Sequence, residues 1–420
     1  MSDLGWIDLA FRAARPRAMG ALLRYFRDLD LAEEAFQEAC LGALKKWPET
    51  GPPRDPAAWL IFVGRNAALD VVRRLGKQEA LPDDDALPAD DDTEAELAER
   101  LDGAHYRDDI LRLLFVCCHP ELPATQQIAL ALRIVCGLTV KEIARSFVVT
   151  EPAMEQRLTR AKRQVARADV PFETPGAPER AERLATVAAV VYLIFNEGYS
   201  ATGGDALIRA PLCEEAIRLA RLLLRLFADE PEIMSLLALL LLQHARAAAR
   251  LDADGVIILL PDQDRALWNR ALISEGLALL EKAARHGRPG PYQLQAAIAS
   301  RHARAVRAQD TDWTAIGALY AALEEVYPSP VVTLNRAVAV AKVSGPAAAL
   351  ALIEPLAARL ASYFNFYGVK GALLMELDRT EEARIAFGRA IALANTPAEA
   401  AHIRMNLDRL APAAARRPNS

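Results

Sequence analysis

An arginine-rich face is predicted on a helix that runs from about residue 150 to residue 167. Arginine can pair with guanine through two hydrogen bonds, and glutamine can do so with adenine, so these side chains at helical spacing can read base edges in a DNA major groove. The residues on this polar face are Gln156, Arg157, Arg160 and Arg163. The residues of the opposite, apolar stripe are Met154, Leu158, Ala161 and Val165. The pattern favours DNA recognition; the alternative is one helix of a larger bundle whose outer face is merely solvated.

The preceding residues predict the two helices that must hold this helix in place. An apolar helix over 125–136 ends at Gly137, which suits a C-terminal cap. Thr139 and Glu142 have the spacing of a capping box at the start of a short second helix. Two valines form the turn, and Thr150 caps the third helix. This arrangement is typical of a helix-turn-helix domain.

A second nucleic-acid-binding pattern lies upstream, in a helix predicted to start at Asp55 and to extend through residue 74. The aromatic residues Trp59 and Phe62 are interleaved with Arg65 and further arginines. Single-stranded DNA requires this combination, because cations neutralise phosphates and flat rings stack on unpaired bases. The alternative is an ordinary amphipathic helix whose C-terminal arginines suit its dipole.

A glutamate-rich helix is predicted over 31–46, capped by Asp28 or Asp30 and ended by Trp47-Pro48. Its polar face carries Glu33, Glu34, Gln37 and Glu38. A solvated face would have the same composition, so the residues alone do not assign a partner to this helix.

The composition limits the possible functions of the 420-residue chain. The net charge of −5 means that binding to nucleic acid must come from local basic patches. We find no P-loop, nucleophile elbow or dinucleotide-binding motif, and therefore predict neither an enzyme nor a cofactor. Cys117-Cys118-His119 lacks the spacing of a zinc site and predicts core packing, with no metal. Five cysteines in apolar runs, without a signal segment or membrane span, predict a cytoplasmic protein.

Two segments are predicted to connect folded parts of the chain. Residues 78–108 include ten acidic residues in a stretch with proline, a composition typical of a flexible linker. Residues 171–180 form a proline-rich hinge. A sequence with these connections and helical periodicity elsewhere predicts an all-α protein of several domains.

The C-terminal part of the chain has a period of 34 residues. Positions that keep the same phase are Ala315, Ala349 and Ala383, Leu319, Ile353 and Phe387, and Ala303, Ala337 and Gly371. This period with small residues at these offsets is the tetratricopeptide (TPR) pattern of stacked helix pairs. We predict repeats at 296–329, 330–363 and 364–397, whose stacking would form a concave groove for a peptide or a partner helix.

Together these elements resemble a bacterial extracytoplasmic-function (ECF) RNA polymerase sigma factor over residues 8–168. One motif set is Trp59, Leu60, Arg65, Asn66, Asp70, Arg73 and Arg74. The second set is Gly137, Leu138, Thr139, Glu142, Ile143, Ala144, Arg157, Leu158, Arg160, Ala161 and Lys162. The two sets occur in the family's order and at its separation, so the first module resembles sigma region 2 and the second resembles sigma region 4.

The resemblance implies roles for particular residues. Contacts to core RNA polymerase would come from Glu34, Gln37, Glu38 and Leu41. The promoter −10 element would be melted and read by Trp59, Arg65, Asn66, Asp70, Arg73 and Arg74. The −35 element would be read by Thr150, Ala153, Glu155, Gln156, Arg157, Arg160 and Arg163. The start of the reading helix offers little polar chemistry at Pro152 and Ala153, so DNA shape would contribute to recognition.

The remaining 250 residues resemble the extension of a sigma-factor subgroup with a fused, TPR-like C-terminal domain. The segments FNEGYS, LLPDQDRALWNR and SPVVTLNRAVAVA have this resemblance. The extension would replace or supplement a separate anti-sigma protein. A site there could use Asn196, Glu197 and Tyr199, whereas Gly198 suits a helix C-cap. The groove would bind a peptide or protein, or the chain's own sigma modules.

The sequence therefore predicts a sigma factor that directs RNA polymerase to specific promoters, with a C-terminal domain that regulates it or binds a partner. The predicted domains are region 2 (6–77), the acidic linker (78–108), region 4 (109–170), the hinge (171–180), a helical extension (181–295) and TPR-like repeats (296–415). The alternative is a helix-turn-helix activator with a TPR sensor domain, which would not need a module for melting DNA.

Overall fold

The computed structural model describes residues 5–74, 104–119, 121–147, 149–167, 177–199, 210–252, 257–394 and 397–410. These residues form helices and turns, and their extended pairing is limited to one isolated antiparallel bridge between Leu251 and Ile257. The predicted all-α class is confirmed. The chain divides into two compact units, Met1–Leu193 and Ile194–Ser420. Most of the predicted acidic linker lies outside the described residues, and its last five residues, from Ala104, are helical.

The first unit is built from seven helices and the first part of an eighth, within the residues described. Their bounds are α1 Gly5–Phe26, α2 Leu29–Thr50, α3 Pro56–Arg74, α4 Ala104–Cys117, α5 Ala124–Ile134, α6 Val140–Ser146, α7 Glu151–Arg167 and α8 Ala177–Tyr199. The predicted cap of α2 is Asp28, whose carboxylate accepts a hydrogen bond from the Leu31 N–H at 2.9 Å. The helix α8 continues past the boundary of the unit, and it includes the last four residues of the predicted hinge.

The prediction that Trp47-Pro48 ends α2 was wrong. The helix continues to Thr50 and ends at Gly51, which has a φ of +77° and donates its N–H to the Trp47 carbonyl. A proline removes only one backbone donor this close to a helix end. The buried Trp47 ring holds the turn in place, because it packs against the rings of Phe11 and Trp59 at centroid distances of 5.4 and 5.3 Å.

Helices α5, α6 and α7 form the predicted helix-turn-helix. The capping box is confirmed, because the Thr139 N–H donates to the Glu142 carboxylate at 2.7 Å and the Glu142 N–H donates to the Thr139 hydroxyl at 3.2 Å. Gly137 has a φ of +78°, which glycine adopts without strain, although α5 itself ends three residues earlier. Residue 148 of the predicted valine turn is outside the described residues.

The second unit contains the end of α8 and ten further helices among the residues described. Their bounds are α9 Ala210–Leu226, α10 Pro231–His244, α11 Arg270–Ala284, α12 Pro291–Arg304, α13 Trp313–Val326, α14 Pro330–Ser344, α15 Pro346–Ile353, α16 Phe364–Glu376, α17 Thr380–Leu393 and α18 Pro397–Arg409. By length and composition alone, one stretch, Pro231–Ala249, could cross a membrane. Its 67 % burial inside the fold is expected of a core helix.

Gly198 is not the C-cap that its sequence context suggested. It lies within α8, which extends through Tyr199. A Cβ at Gly198 would lie 2.8 Å from both the Cys213 backbone nitrogen and the Leu212 Cβ. Glycine is therefore required here because α8 and α9 approach each other too closely for any side chain.

Helices α12 to α17 form consecutive pairs with the predicted period. Helices α14 and α16 begin 34 residues apart, at Pro330 and Phe364, whereas the first pair begins at Pro291, five residues before its predicted start. The small residues Ala337, Ala349 and Ala383 are fully buried, as close packing of neighbouring helices requires. These pairs and α18 share one hydrophobic core.

We predict that Gly64→Ala destabilises the first unit, whereas Gly42→Ala does not. A Cβ at Gly64 would lie 2.7 Å from the Ala35 carbonyl oxygen, so α2 and α3 would have to separate. The expected loss is about 1–3 kcal/mol of unfolding free energy. A Cβ at Gly42 would make an ordinary contact with Trp59 at 3.5 Å, and alanine favours a helix by up to about 1 kcal/mol. Urea unfolding of both variants tests this, and equal midpoints would contradict it.

Candidate nucleic-acid and polymerase interfaces

The apolar stripe of α7 is buried, and the opposite face is open to solvent. The buried residues are Met154, Leu158, Ala161 and Val165. Of the residues predicted to read the −35 element, those that are exposed are Thr150, Ala153, Glu155, Gln156, Arg160 and Arg163, and Arg157 is half-buried. Within the described part of the chain, neither Arg160 nor Arg163 forms an ion pair. These two guanidinium groups are available to an external anion such as a DNA phosphate or a guanine edge.

The helix α7 is also fixed by polar contacts at its C-terminal half. The Gln164 amide donates to the Glu121 carbonyl at 2.8 Å, which ties α7 to the segment before α5. The Lys162 ammonium lies 2.6 Å from the Asp30 carboxylate and 2.8 Å from that of Glu33, both at the start of α2. The helix is thus positioned by groups outside its exposed face, which leaves that face unobstructed.

Helix α3 presents some of the residues predicted for the −10 element. Asn66 is exposed, and the Arg65 guanidinium carbon lies 4.5 Å from the centroid of the Tyr25 ring. Trp59 is half-buried against Trp47 and Gly42, so its ring packs within the module. The side chains of three further predicted residues at the end of α3 lie outside the described part of the structure, namely Asp70, Arg73 and Arg74.

Helix α2 presents the predicted polymerase contacts as one exposed stripe. The four residues Glu34, Gln37, Glu38 and Leu41 are all exposed. Leu41 is 51 % exposed, and Leu44, one turn further along, is 45 % exposed. Two exposed leucines beside acidic side chains form a surface suited to a protein partner rather than to DNA, because carboxylates repel phosphates.

Glu33 differs from the other acidic residues of α2, and sequence reasoning placed it wrongly on the solvated face. It is only 4 % exposed. Its carboxylate lies 2.7 Å from Arg133, 2.8 Å from Lys162 and 3.7 Å from Arg15. We call these four residues the Glu33 cluster. Two of its cations come from the helix-turn-helix module, so no local sequence signal could have identified the arrangement.

Arg15 extends the Glu33 cluster into the backbone of α5. Its guanidinium donates to the Ile134 carbonyl at 2.9 Å and to the Arg133 carbonyl at 3.2 Å. These carbonyls belong to the end of the helix, where a cation is stabilising. Arg15 also lies over the Phe36 ring, 4.8 Å from its centroid.

The charges of the Glu33 cluster stabilise one another. Burial alone would raise the pKa of the Glu33 carboxyl, but Arg133, Lys162 and Arg15 outweigh this effect and lower the pKa below its ordinary value of 4.5. Burial opposes the charged form of Lys162, yet its hydrogen bonds to Asp30 and Glu33 raise its pKa above 10.5. Both groups are therefore charged at neutral pH.

A second contact joins the same two modules. The Asp109 carboxylate on α4 lies 3.2 Å from Arg24 of α1 and 3.3 Å from Arg112. A Cβ at Gly20 would lie 2.9 Å from the Asp109 carbonyl oxygen, so α1 and α4 touch at their backbones.

The residues predicted for a site in the extension are held by two arginines of the second unit. The Arg246 guanidinium donates to the Tyr199 hydroxyl at 2.8 Å, and the Arg250 guanidinium lies over the Tyr199 ring and donates to its backbone carbonyl. Asn196 and Glu197 are half-buried on the same helix. These contacts give Tyr199 a structural role in joining α8 to the segment after α10.

A cavity of about 930 Å³ opens among the helix pairs of the second unit. We call it the C-terminal groove, and the residues that define it here are Trp313, Tyr320, Asn335, Lys342, Phe364 and Asn365. Aromatic rings with a few polar groups are typical of a ligand or peptide site. Within the described residues, no three potential metal ligands come together. Burial raises the pKa of Cys118 to about 12 and that of Cys117 well above its ordinary value, so both thiols are protonated core groups.

Comparisons with known proteins identify three segments of the chain. Residues 10–78 match sigma-70 region 2, residues 112–165 match sigma-70 region 4, and residues 183–284 match a family of unknown function, DUF6596. A relative from Rhizobium meliloti (strain 1021), described as uncharacterized protein R00370, is 67 % identical over 411 residues, covering 98 % of this chain and 97 % of the relative. No solved structure matches. The two sigma-70 matches support a sigma factor that acts in transcription initiation.

Two consecutive glutamates provide a test of the Glu33 cluster. We expect Glu33→Gln to lower the unfolding free energy by at least about 1 kcal/mol, because buried cations lose their carboxylate. Glu34→Gln should change it by less than about 0.5 kcal/mol, because Glu34 is exposed. The lowered pKa of Glu33 means that its contribution is present above pH 4.5 and is lost as the carboxyl protonates below that value. Calorimetry across pH 3–7 would contradict this if the two variants matched at neutral pH.

Proposed function

We propose that this chain, which belongs to the same family as protein R00370 and contains sigma-70 regions 2 and 4, is an ECF-type sigma factor that directs bacterial RNA polymerase to specific promoters. The observation that carries the proposal is the presence of both regions in one unit, each with its expected contact face exposed. Such a factor acts by binding, so we propose a non-enzymatic role in the cytoplasm, where RNA polymerase works.

In this proposal the three exposed faces have distinct partners. The stripe of α2, with Glu34, Gln37, Glu38 and Leu41, binds core polymerase. The exposed side of α3, with Arg65 and Asn66, contacts the −10 element, and α7 contacts the −35 element through Gln156, Arg160 and Arg163. Because the net charge of the chain is −5, the two DNA contacts become strong only when polymerase holds them together on one promoter.

The alternative function, an activator with a TPR sensor domain, is not favoured. An activator that binds an operator through a helix-turn-helix has no use for sigma-70 region 2, which this chain carries over residues 10–78. Polymerase binding by an exposed stripe on region 2 distinguishes the two functions.

We predict that the purified chain with core RNA polymerase starts transcription at promoters that core polymerase alone does not use. Glu38→Lys should weaken polymerase binding at least tenfold, since it reverses a charge at the centre of the contact stripe. Lys46→Glu is the matched control, because it reverses an exposed charge on another side of α2. Run-off transcription and a binding titration measure both effects. A chain that fails to bind core polymerase would refute the sigma-factor proposal.

We further propose that the helix pairs of the second unit are TPR-like and regulate the sigma modules by binding a peptide or protein partner in the C-terminal groove. The support is the 34-residue period, the buried small residues at its repeating positions, and the aromatic and amide side chains that line the groove. Regulation could also come from contact between the extension and the chain's own sigma modules, and the groove variants below address both.

We expect Lys342→Glu to change promoter output in cells more than twofold without changing the affinity of the purified chain for core polymerase. Lys342 is exposed on the groove wall, so charge reversal there should alter partner binding and leave the first unit intact. Arg404→Glu reverses an exposed charge elsewhere in the second unit and is the control. A reporter assay in cells with wild-type output from Lys342→Glu would contradict regulation through the groove.

A further inference from the structure

The two sigma-like modules of the first unit are joined directly, and the Glu33 cluster is the centre of the joint. Glu33 of α2 contacts Arg133 at the end of α5 and Lys162 of α7, at 2.7 and 2.8 Å. Lys162 is one residue from Arg163 and two from Arg160, which are predicted to read DNA. The joint therefore fixes the reading helix to the polymerase-binding helix.

The joint also fixes the reading helix close to α3. The backbone of α3 touches α2, because a Cβ at Gly64 would lie 2.7 Å from the Ala35 carbonyl oxygen. Gly64 precedes Arg65 and Asn66, and Ala35 is two residues from Glu33. Adding bond lengths and helical rise along this path gives a separation of at most about 30 Å between the backbones at residues 64 and 162.

Two promoter elements centred near positions −10 and −35 are much further apart than this. About 25 base pairs at about 3.4 Å each separate them by about 85 Å. Bringing them within reach of the joined modules would fold the DNA back on itself, far beyond the bends of about 40–90° that proteins impose on sites of 20–30 base pairs. The joined form can contact one element, but it cannot span both.

We propose that the Glu33 cluster is an autoinhibitory contact that holds the free protein in a closed form and must break before both promoter elements are engaged. This proposal rests on the sigma-factor function proposed above. The closed form leaves the faces of α2 and α7 exposed, so it permits polymerase to bind first. It lowers the apparent affinity for a correctly spaced promoter by the fraction of molecules that are open.

The chemistry of the cluster suits a contact that can open. All four side chains are charged in the closed form, and each can be hydrated when the modules separate, so opening strands no charge in an apolar interior. Lys162 lies at the edge of the cluster, with its side chain 19 % exposed, and it also reaches Asp30, which is largely exposed. Water can therefore enter between α2 and α7 from this side.

The experiment is a distance measurement by double electron–electron resonance on the full chain, with spin labels at Thr50→Cys and Ala166→Cys. Both positions are exposed and lie outside the contact faces of α2 and α7. The unsubstituted chain, whose cysteines are buried or half-buried, gives the background labelling. The closed form predicts one distance below about 45 Å in the free protein. Complex formation with core polymerase and promoter DNA should lengthen it by roughly 20 Å or more.

Lys162→Gln provides the perturbation, and Lys46→Gln is its matched control on the exposed side of α2. Losing the Lys162 ion pairs should raise the open fraction roughly two- to fivefold, the range for a single ion pair near the surface. The control should leave the distances unchanged. A short distance that persists in a transcribing complex overturns the proposal, and so does a free protein that is already extended.

The outcomes distinguish this proposal from the function on which it rests. A chain that never binds core polymerase refutes the sigma-factor function. The closed form is then judged by the free protein alone, where an equal effect of Lys162→Gln and Lys46→Gln refutes the role of the cluster.

Discussion

The burial of one carboxylate, that of Glu33, determines how the first unit is arranged. A carboxylate that is 4 % exposed must be compensated, and the three cations around it come from α1, from the end of α5 and from α7. Because these helices belong to two sequence families, one ion cluster connects a polymerase-binding module with a DNA-reading module. The faces needed for binding remain exposed around it, so the arrangement controls their separation rather than their accessibility.

Local sequence patterns predicted the elements that depend on local physics. The capping box of Thr139 and Glu142, the Asp28 cap and the buried stripe of α7 all follow from interactions within a few residues. The 34-residue period predicted helix pairs because the small residues that permit close packing must recur with each pair. Sigma-70 regions 2 and 4 were recognised from two motif sets whose residues lie mainly on single helices.

The features that the sequence did not predict depend on contacts between distant residues. Glu33 and Glu34 are equivalent in a helical pattern, and only the approach of Arg133 and Lys162 makes one of them a buried centre. Trp47-Pro48 would end a free helix, but packing of the Trp47 ring against α1 and α3 carries the helix three residues further. Gly198 was read as a cap, whereas its role is set by α9, which begins eleven residues later.

Footprinting of the complex with core polymerase on a selected promoter tests the central claim most directly, namely that two modules of one chain engage two separated DNA elements. We predict protection of both elements and permanganate-reactive thymines, a sign of melted DNA, at the upstream edge of the transcription start region. Arg160→Ala should weaken the −35 protection by about 1–3 kcal/mol in a base-specific manner, and Asn66→Ala should reduce reactivity at the −10 element alone. Protection of a single element with no reactive thymines would contradict the account.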